Sequence, residues 1–180
     1  MSQDYLNYYK DKKVMVAGGG GFLGSRIVAR LKDAGATVFV PRTQDGVDFR
    51  DEKICHDYFA KTKPEIVINC AAFQGGIGFH SGKQANLFLD NAEMGLFLME
   101  AAQKNGVKKF INIVAGCSYP GYLEKEELNE SDYWNGEVHD SIFSMEKRCG
   151  YRSVFGCTTR MFLSNLRHCV GIAVLALRFG

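Results

Sequence analysis

The sequence predicts an α/β fold, a doubly wound parallel sheet of about five strands forming one domain over residues 1–180. Three observations predict it. Short apolar runs alternate with segments whose apolar residues recur at helical spacing, the pattern of right-handed βαβ units. The first run passes straight into a glycine-rich turn and a helix. The length, 180 residues, suits one such domain.

The elements follow in order. Lys13–Ala17 ("KVMVA") reads as a buried strand, and Phe22–Ala34 as a helix with apolar residues at 23, 27, 28 and 31, stopped by Gly35. Thr37–Val40 ("TVFV") is a second strand closed by Pro41. Asp51–Lys61 is a helix with an acidic start, and Ile66–Cys70 ("IVINC") a third strand. After a glycine-rich loop, Gln84–Asn105 is a long helix ended by Gly106, and Phe110–Val114 ("FINIV") a fourth strand. Ala115–Glu137 is an excursion long enough to be functional. A helix starting near Ser141 carries Lys147, and a last strand lies around Ala173–Arg178. The expected strand order is 3-2-1-4-5. Ligands of such sheets bind at the carboxyl ends of the strands. Here those ends are Gly18, Pro41–Arg42, Ala71–Phe73 and Ala115–Ser118, expected to line one cleft.

"VMVAGGGGFLGSRIV" places Gly18, Gly21 and Gly24 as G-x-x-G-x-x-G between a strand and a helix. The first glycine permits the turn and the second lets backbone approach a pyrophosphate. The third packs the helix on the sheet, so that the helix start, with Phe22 and Leu23, faces the anion. An acidic residue after the second strand would bond an unphosphorylated ribose. Arg42 stands there instead, and its charge and fork suit a 2′-phosphate, which favours NADP over NAD. The alternative is a solvated Arg42 with Asp45 as the acid. In "VDFRD", Asp48 is a candidate for the adenine amino group. Phe49 lies beside the adenine ring or in the core.

The net charge is only +2, which gives no case for nucleic acid or an anionic membrane as partner. The first residues lack a signal-peptide core, and "VGIAVLAL" is too short to span a bilayer, so a cytoplasmic location is expected. Six cysteines, at 55, 70, 117, 149, 157 and 169, form no C-x-x-C pair and no metal-finger spacing with histidine, so no metal is expected.

"GGGGFLGS", "CAAFQGGIG", the helix with Asn91, and "GCSYPG" before a helix with Lys147 together resemble the extended short-chain dehydrogenase/reductases. Among these the chain is most similar to the NAD-dependent epimerase/dehydratases of the GDP-L-fucose synthase branch, from about Lys13 to Lys147. The resemblance implies a Rossmann-type fold and a nucleotide-sugar epimerase/reductase using NADP. Cys70, Ala71 and Ala72 would line the cofactor, and Asn91 would face the same pocket, structurally or through water. Lys147 would hold the nicotinamide ribose and favour ionisation of a nearby phenol. Cys117 matches an acid/base cysteine of epimerisation, against the alternative of a packed thiol.

Two positions depart from that pattern. The phenol position, four before Lys147, is Phe143, and the serine or threonine position after the fourth strand is Ala115. Ser118 and Ser144 are the nearest hydroxyls, and Tyr151 lies one turn past Lys147 on the same side. Family members continue past the fifth strand into a substrate domain that this chain mostly lacks. The resemblance also implies a homodimer through the Gln84–Asn105 helix and the helix bearing Lys147. The expectation is an impaired NADP-dependent nucleotide-sugar epimerase/reductase. The alternatives are a non-catalytic dinucleotide-binding module and an unproductive fragment.

Overall fold

The computed structural model describes residues 7–73, 84–115, 132 and 170–175. Five strands form one sheet, every pair of neighbours parallel: β1 (Lys13–Ala17), β2 (Thr37–Phe39), β3 (Ile66–Asn69), β4 (Lys109–Ala115) and β5 (Val170–Leu175). Among the described residues, the longer helices beside them are α1 (Phe22–Asp33), α2 (Glu52–Thr62) and α3 (Gln84–Lys104).

The strands run in the order β2-β1-β3-β4-β5, not 3-2-1-4-5 as the sequence suggested. Burial explains the difference. All four residues of "IVIN" in β3 are buried, so β3 needs a neighbour on each side and a helix on each face. β2 is three residues long, with one exposed and two half-buried, which suits the edge. The chain therefore steps from β1 to β2 in one direction and from β2 back across β1 to β3 in the other. Right-handed crossovers in opposite directions put their helices on opposite faces.

The core divides accordingly. Val14, Val16, Ile66 and Ile68 face α1, where they meet Leu31, Ile27 and Val28. Met15, Ala17, Val67 and Phe110 face the other way, against Cys55 and Phe59 of α2 and Leu98, Met99, Ala101 and Ala102 of α3. Alternate residues of one strand thus serve two cores.

Strand and helix limits shift slightly from expectation. Cys70 falls just outside β3 and Val40 outside β2, while α3 ends at Lys104. β5 begins three residues early, because Val170 pairs in register with Phe110 and Leu175 with Ala115. An eight-residue apolar run does not by itself say which six residues pair. Helix α2 starts at Asp51, whose carboxylate accepts a 3.1 Å bond from the Ile54 N–H. Where α2 meets α3, the buried Nε2 of His56 stands 3.8 Å from Glu52 and 3.9 Å from Glu100. Glu100 is in turn paired with Lys104 at 2.6 Å.

Candidate functional site

With β1 between β2 and β3, the direction of winding reverses at the β1/β3 boundary, and the carboxyl ends of these strands open a crevice there. The glycine turn lies at this point. Gly18 has φ +71°, in the left-handed region that a side chain resists. A Cβ on it would stand 2.7 Å from the Ala71 nitrogen and from the Cys70 carbonyl. The turn closes through a 3.0 Å bond from Gly21 N–H to the Gly18 carbonyl. A Cβ on Gly24 would run into that same carbonyl, so only glycine lets α1 pack this close to the turn.

No side chain caps α1, whose N-cap is Gly21, whereas α2 is capped by Asp51. The first-turn N–H groups of α1, those of Phe22, Leu23 and Gly24, lie beyond the reach of intrahelical bonds. They form the kind of donor set that takes an anion. Phe22 is 77% exposed, with the Arg26 guanidinium over its ring at 4.7 Å, and Leu23 is half-buried.

Arg42 follows β2 at the mouth of the crevice. Its guanidinium lies over the glycine turn: a Cβ on Gly20 would be 3.6–3.8 Å from its Nε, Cζ and Nη2 atoms. Asp45 sits one turn further on, in the single-turn helix Thr43–Asp45 that Arg42 opens.

Asp48 is gripped by Arg50 through bonds of 2.6–3.1 Å to both carboxylate oxygens. The Arg50 hydrogen bonds hold the Asp48 carboxyl below the usual carboxylate range, against the upward pull of its partial burial. Arg50 also reaches Asp90 of α3 at 3.4 Å and lies 5.8 Å from the Phe73 ring centroid. Phe49 is 6% exposed and packs edge-on against Tyr58, so its ring lies in the core.

Past β3, Cys70 and Ala71 are half-buried while Ala72 and Phe73 are exposed. Burial pushes the Cys70 thiol up to about 11. Asn91, 4% exposed, holds this segment: its Oδ1 accepts from Phe73 N–H at 2.7 Å and its Nδ2 donates to Phe73 O at 3.0 Å. A third bond, to Leu87 O at 2.8 Å, fixes the side chain to its own helix. Both Nδ2 hydrogens and one Oδ1 lone pair are thus engaged with backbone.

Among the described residues, Arg42 lies over Gly20, Cys70 and Ala71 lie against Gly18, and Gly21, Phe22, Leu23 and Gly24 carry the turn into α1. Ala72 follows Ala71 and is exposed. Lys147, Cys117, Phe143, Ser118, Ser144 and Tyr151 lie outside the described residues. Ala115 ends β4, opposite Leu175. Sequence reasoning missed Arg50, Asn69 and Asn112. An asparagine inside each of two apolar strands, "IVINC" and "FINIV", was the available signal.

A doubly wound parallel sheet with a glycine turn at its switch point defines a Rossmann-type domain. Residues 14–169 match the family described as NAD dependent epimerase/dehydratase, and the chain belongs to that family. GDP-mannose 3,5-epimerase 1 of Oryza sativa subsp. indica is 29% identical over 150 residues, 75% of this chain and 39% of that protein. GDP-L-fucose synthase of Escherichia coli (strain K12) is 31% identical over 127 residues, 71% of this chain and 39% of that one. The solved structure of MlghC, a GDP-mannoheptose C4 reductase from Campylobacter jejuni with NADP bound, superposes with a TM-score of 0.78. It is 19% identical and matches 92% of this chain and 48% of that one, a likeness of fold alone. The chain spans under half the length of the relatives it matches.

Proposed function

We propose that this chain is the cofactor-binding part of an NADP-dependent nucleotide-sugar epimerase/reductase acting on a GDP-sugar. The observation that carries the proposal is the Arg42 guanidinium lying over the glycine turn at the β1/β3 switch point. A dinucleotide's pyrophosphate fits the uncapped start of α1. A 2′-phosphate on the adenine-side ribose fits Arg42, by charge and by a two-pronged hydrogen bond. The relatives support the substrate class, since their names specify GDP-mannose and GDP-L-fucose chemistry.

The cofactor, when bound, supplies hydride to a keto sugar. The chain's own residues do the rest. The glycine turn and α1 hold the phosphates, Arg42 selects the 2′-phosphate, and Ala71 and Ala72 wall the crevice. Lys147 would hold the nicotinamide ribose, and Cys117 would move a proton at a carbon beside the ketone. Phe143 cannot protonate the ketone oxygen, and Ala115 cannot share that bond. Loss of a positioned acid lowers turnover by about 10²–10⁴, so turnover is impaired.

Phe143 and Ala115 also favour a second reading, a dinucleotide-binding module without turnover. The two readings separate by experiment. Calorimetric titration should show NADPH binding tighter than NADH, and binding lost in Gly21→Asp. NADPH oxidation with a GDP-4-keto-6-deoxy sugar should be slow in the parent and rise in Phe143→Tyr with Ala115→Ser. Binding without turnover in either protein would favour the module. No binding of either dinucleotide would sink both readings. A cytoplasmic location and a homodimer complete the proposal.

A further inference from the structure

The buried polar residues among those described are Asn69, Asn91, Asn112 and Asp132. Two of them, Asn69 of β3 and Asn112 of β4, stand opposite each other in register. Asn69 Nδ2 donates to Asn112 Oδ1 at 2.9 Å, and Asn69 Oδ1 accepts from the Ala71 N–H at 3.1 Å. Asn69 is 5% and Asn112 3% exposed, and Asn112 Nδ2 is buried with no hydrogen-bond partner.

This pair is a poor device for stability. It faces the same side of the sheet as Val67 and Phe110, among apolar neighbours. A buried donor without a partner is costly, and replacing both members of such a pair by apolar groups is often neutral or better. What the pair does produce is a fixed position for one backbone group. Ala71 N–H is held from below by Asn69, and Asn69 is held from the side by Asn112. Ala71 is also the residue whose nitrogen lies against Gly18. A hydrogen-bonded chain therefore runs from the middle of β4, through β3, to the Ala71 N–H, and Ala71 in turn packs against Gly18 of the glycine turn.

We propose that Asn69 and Asn112 are positioning residues for the dinucleotide site, retained at the expense of stability to set the Ala71 backbone against the glycine turn. The inference rests on the cofactor reading above. Without the pair, Ala71 is free to turn its N–H toward water. Gly18, packed on it with no side chain between, then loses the wall that fixes its turn. The effect falls on ligand affinity, because the donor set of the turn is no longer held in one place before binding.

The test is the double variant Asn69→Leu with Asn112→Leu, measured for thermal unfolding and by NADPH calorimetry beside the parent. The expected result is an unfolding midpoint equal to or above that of the parent, with NADPH binding weaker by about tenfold. A pair serving stability alone would lower the midpoint and leave affinity unchanged. Double-variant binding within twofold of a parent that binds NADPH overturns the inference and leaves the cofactor reading standing. A parent that binds neither NADPH nor NADH overturns the cofactor reading, and this inference with it. If the double variant does not fold, Asn69→Asp decides. It keeps an acceptor for Ala71 N–H and offers one to Asn112 Nδ2. Affinity close to the parent's supports the inference, and a loss of tenfold or more overturns it.

Discussion

Gly18 shows how much one residue can carry. Its positive φ and its contact with Cys70 and Ala71 both exclude a side chain. Gly18→Ala should lose at least about 2 kcal/mol of stability in urea titrations, since a non-glycine residue in that region costs about 1–3 kcal/mol before any clash. On the proposed reading, Arg42 acts on the ligand and not on the fold. Arg42→Ala should weaken NADPH binding by about 10- to 100-fold, the worth of a hydrogen bond to a charged group, and leave NADH nearly unchanged. Equal losses for both dinucleotides would show that Arg42 does not read the 2′-phosphate.

Asp48 adds a pH dependence. Arg50 lowers its folded value, so the unfolded chain takes up the proton first as pH falls. The contribution is complete above about pH 4, the ordinary carboxylate value, and is lost as pH drops through the lowered one. Unfolding midpoints followed from pH 6 to pH 3 should fall less in Arg50→Met than in the parent. Cys55 runs the other way. Burial, with nearby carboxylates, pushes its thiol up to about 12, so it should resist alkylation at pH 8 until the chain unfolds.

At the scale of elements, the starts of α1 and α2 differ in purpose. α2 begins with Asp51 bonded to Ile54 N–H, so its first turn is satisfied internally. Asp51→Ala should cost about 1 kcal/mol of stability, read by denaturant titration, without changing NADPH affinity. α1 begins on Gly21 with no side-chain cap, and its donors remain for a ligand. Both starts are visible in the sequence, one as an aspartate before a helical stripe and the other as a glycine triplet. What makes the second one a candidate site is the strand beside it. α1 opens at the switch point, while α2 packs on the sheet face and meets α3 through Glu52, His56 and Glu100.

For the whole molecule, strand order decides where the crevice lies. β1 between β2 and β3 puts the glycine turn against Cys70–Ala71, where an order of 3-2-1-4-5 would have set it against a different neighbour. The proposed homodimer also belongs to this scale. Helix α3 presents Leu89, 54% exposed, and Leu96, 38% exposed, two turns apart on one face. Leu89→Lys with Leu96→Glu should convert a dimer to a monomer in sedimentation runs. Unchanged mass would place any self-association elsewhere.

The strands, the three helices and the glycine turn were legible in the sequence because each depends on local pattern: apolar runs, helical spacing, and glycines between a strand and a helix. The choice of Gly18, Gly24 and Arg42 as candidate site residues rests on the same pattern. Strand order was not legible, because it depends on how completely each strand is buried, a property of the assembled sheet. The same limit applied at single residues. Phe49 read equally well as a ligand contact or a core residue, and packing against Tyr58 put it in the core. Asn69 and Asn112, 43 positions apart, have no local relation. Only parallel pairing of β3 with β4 brings their amides into contact, because register is set by the whole sheet and not by either strand.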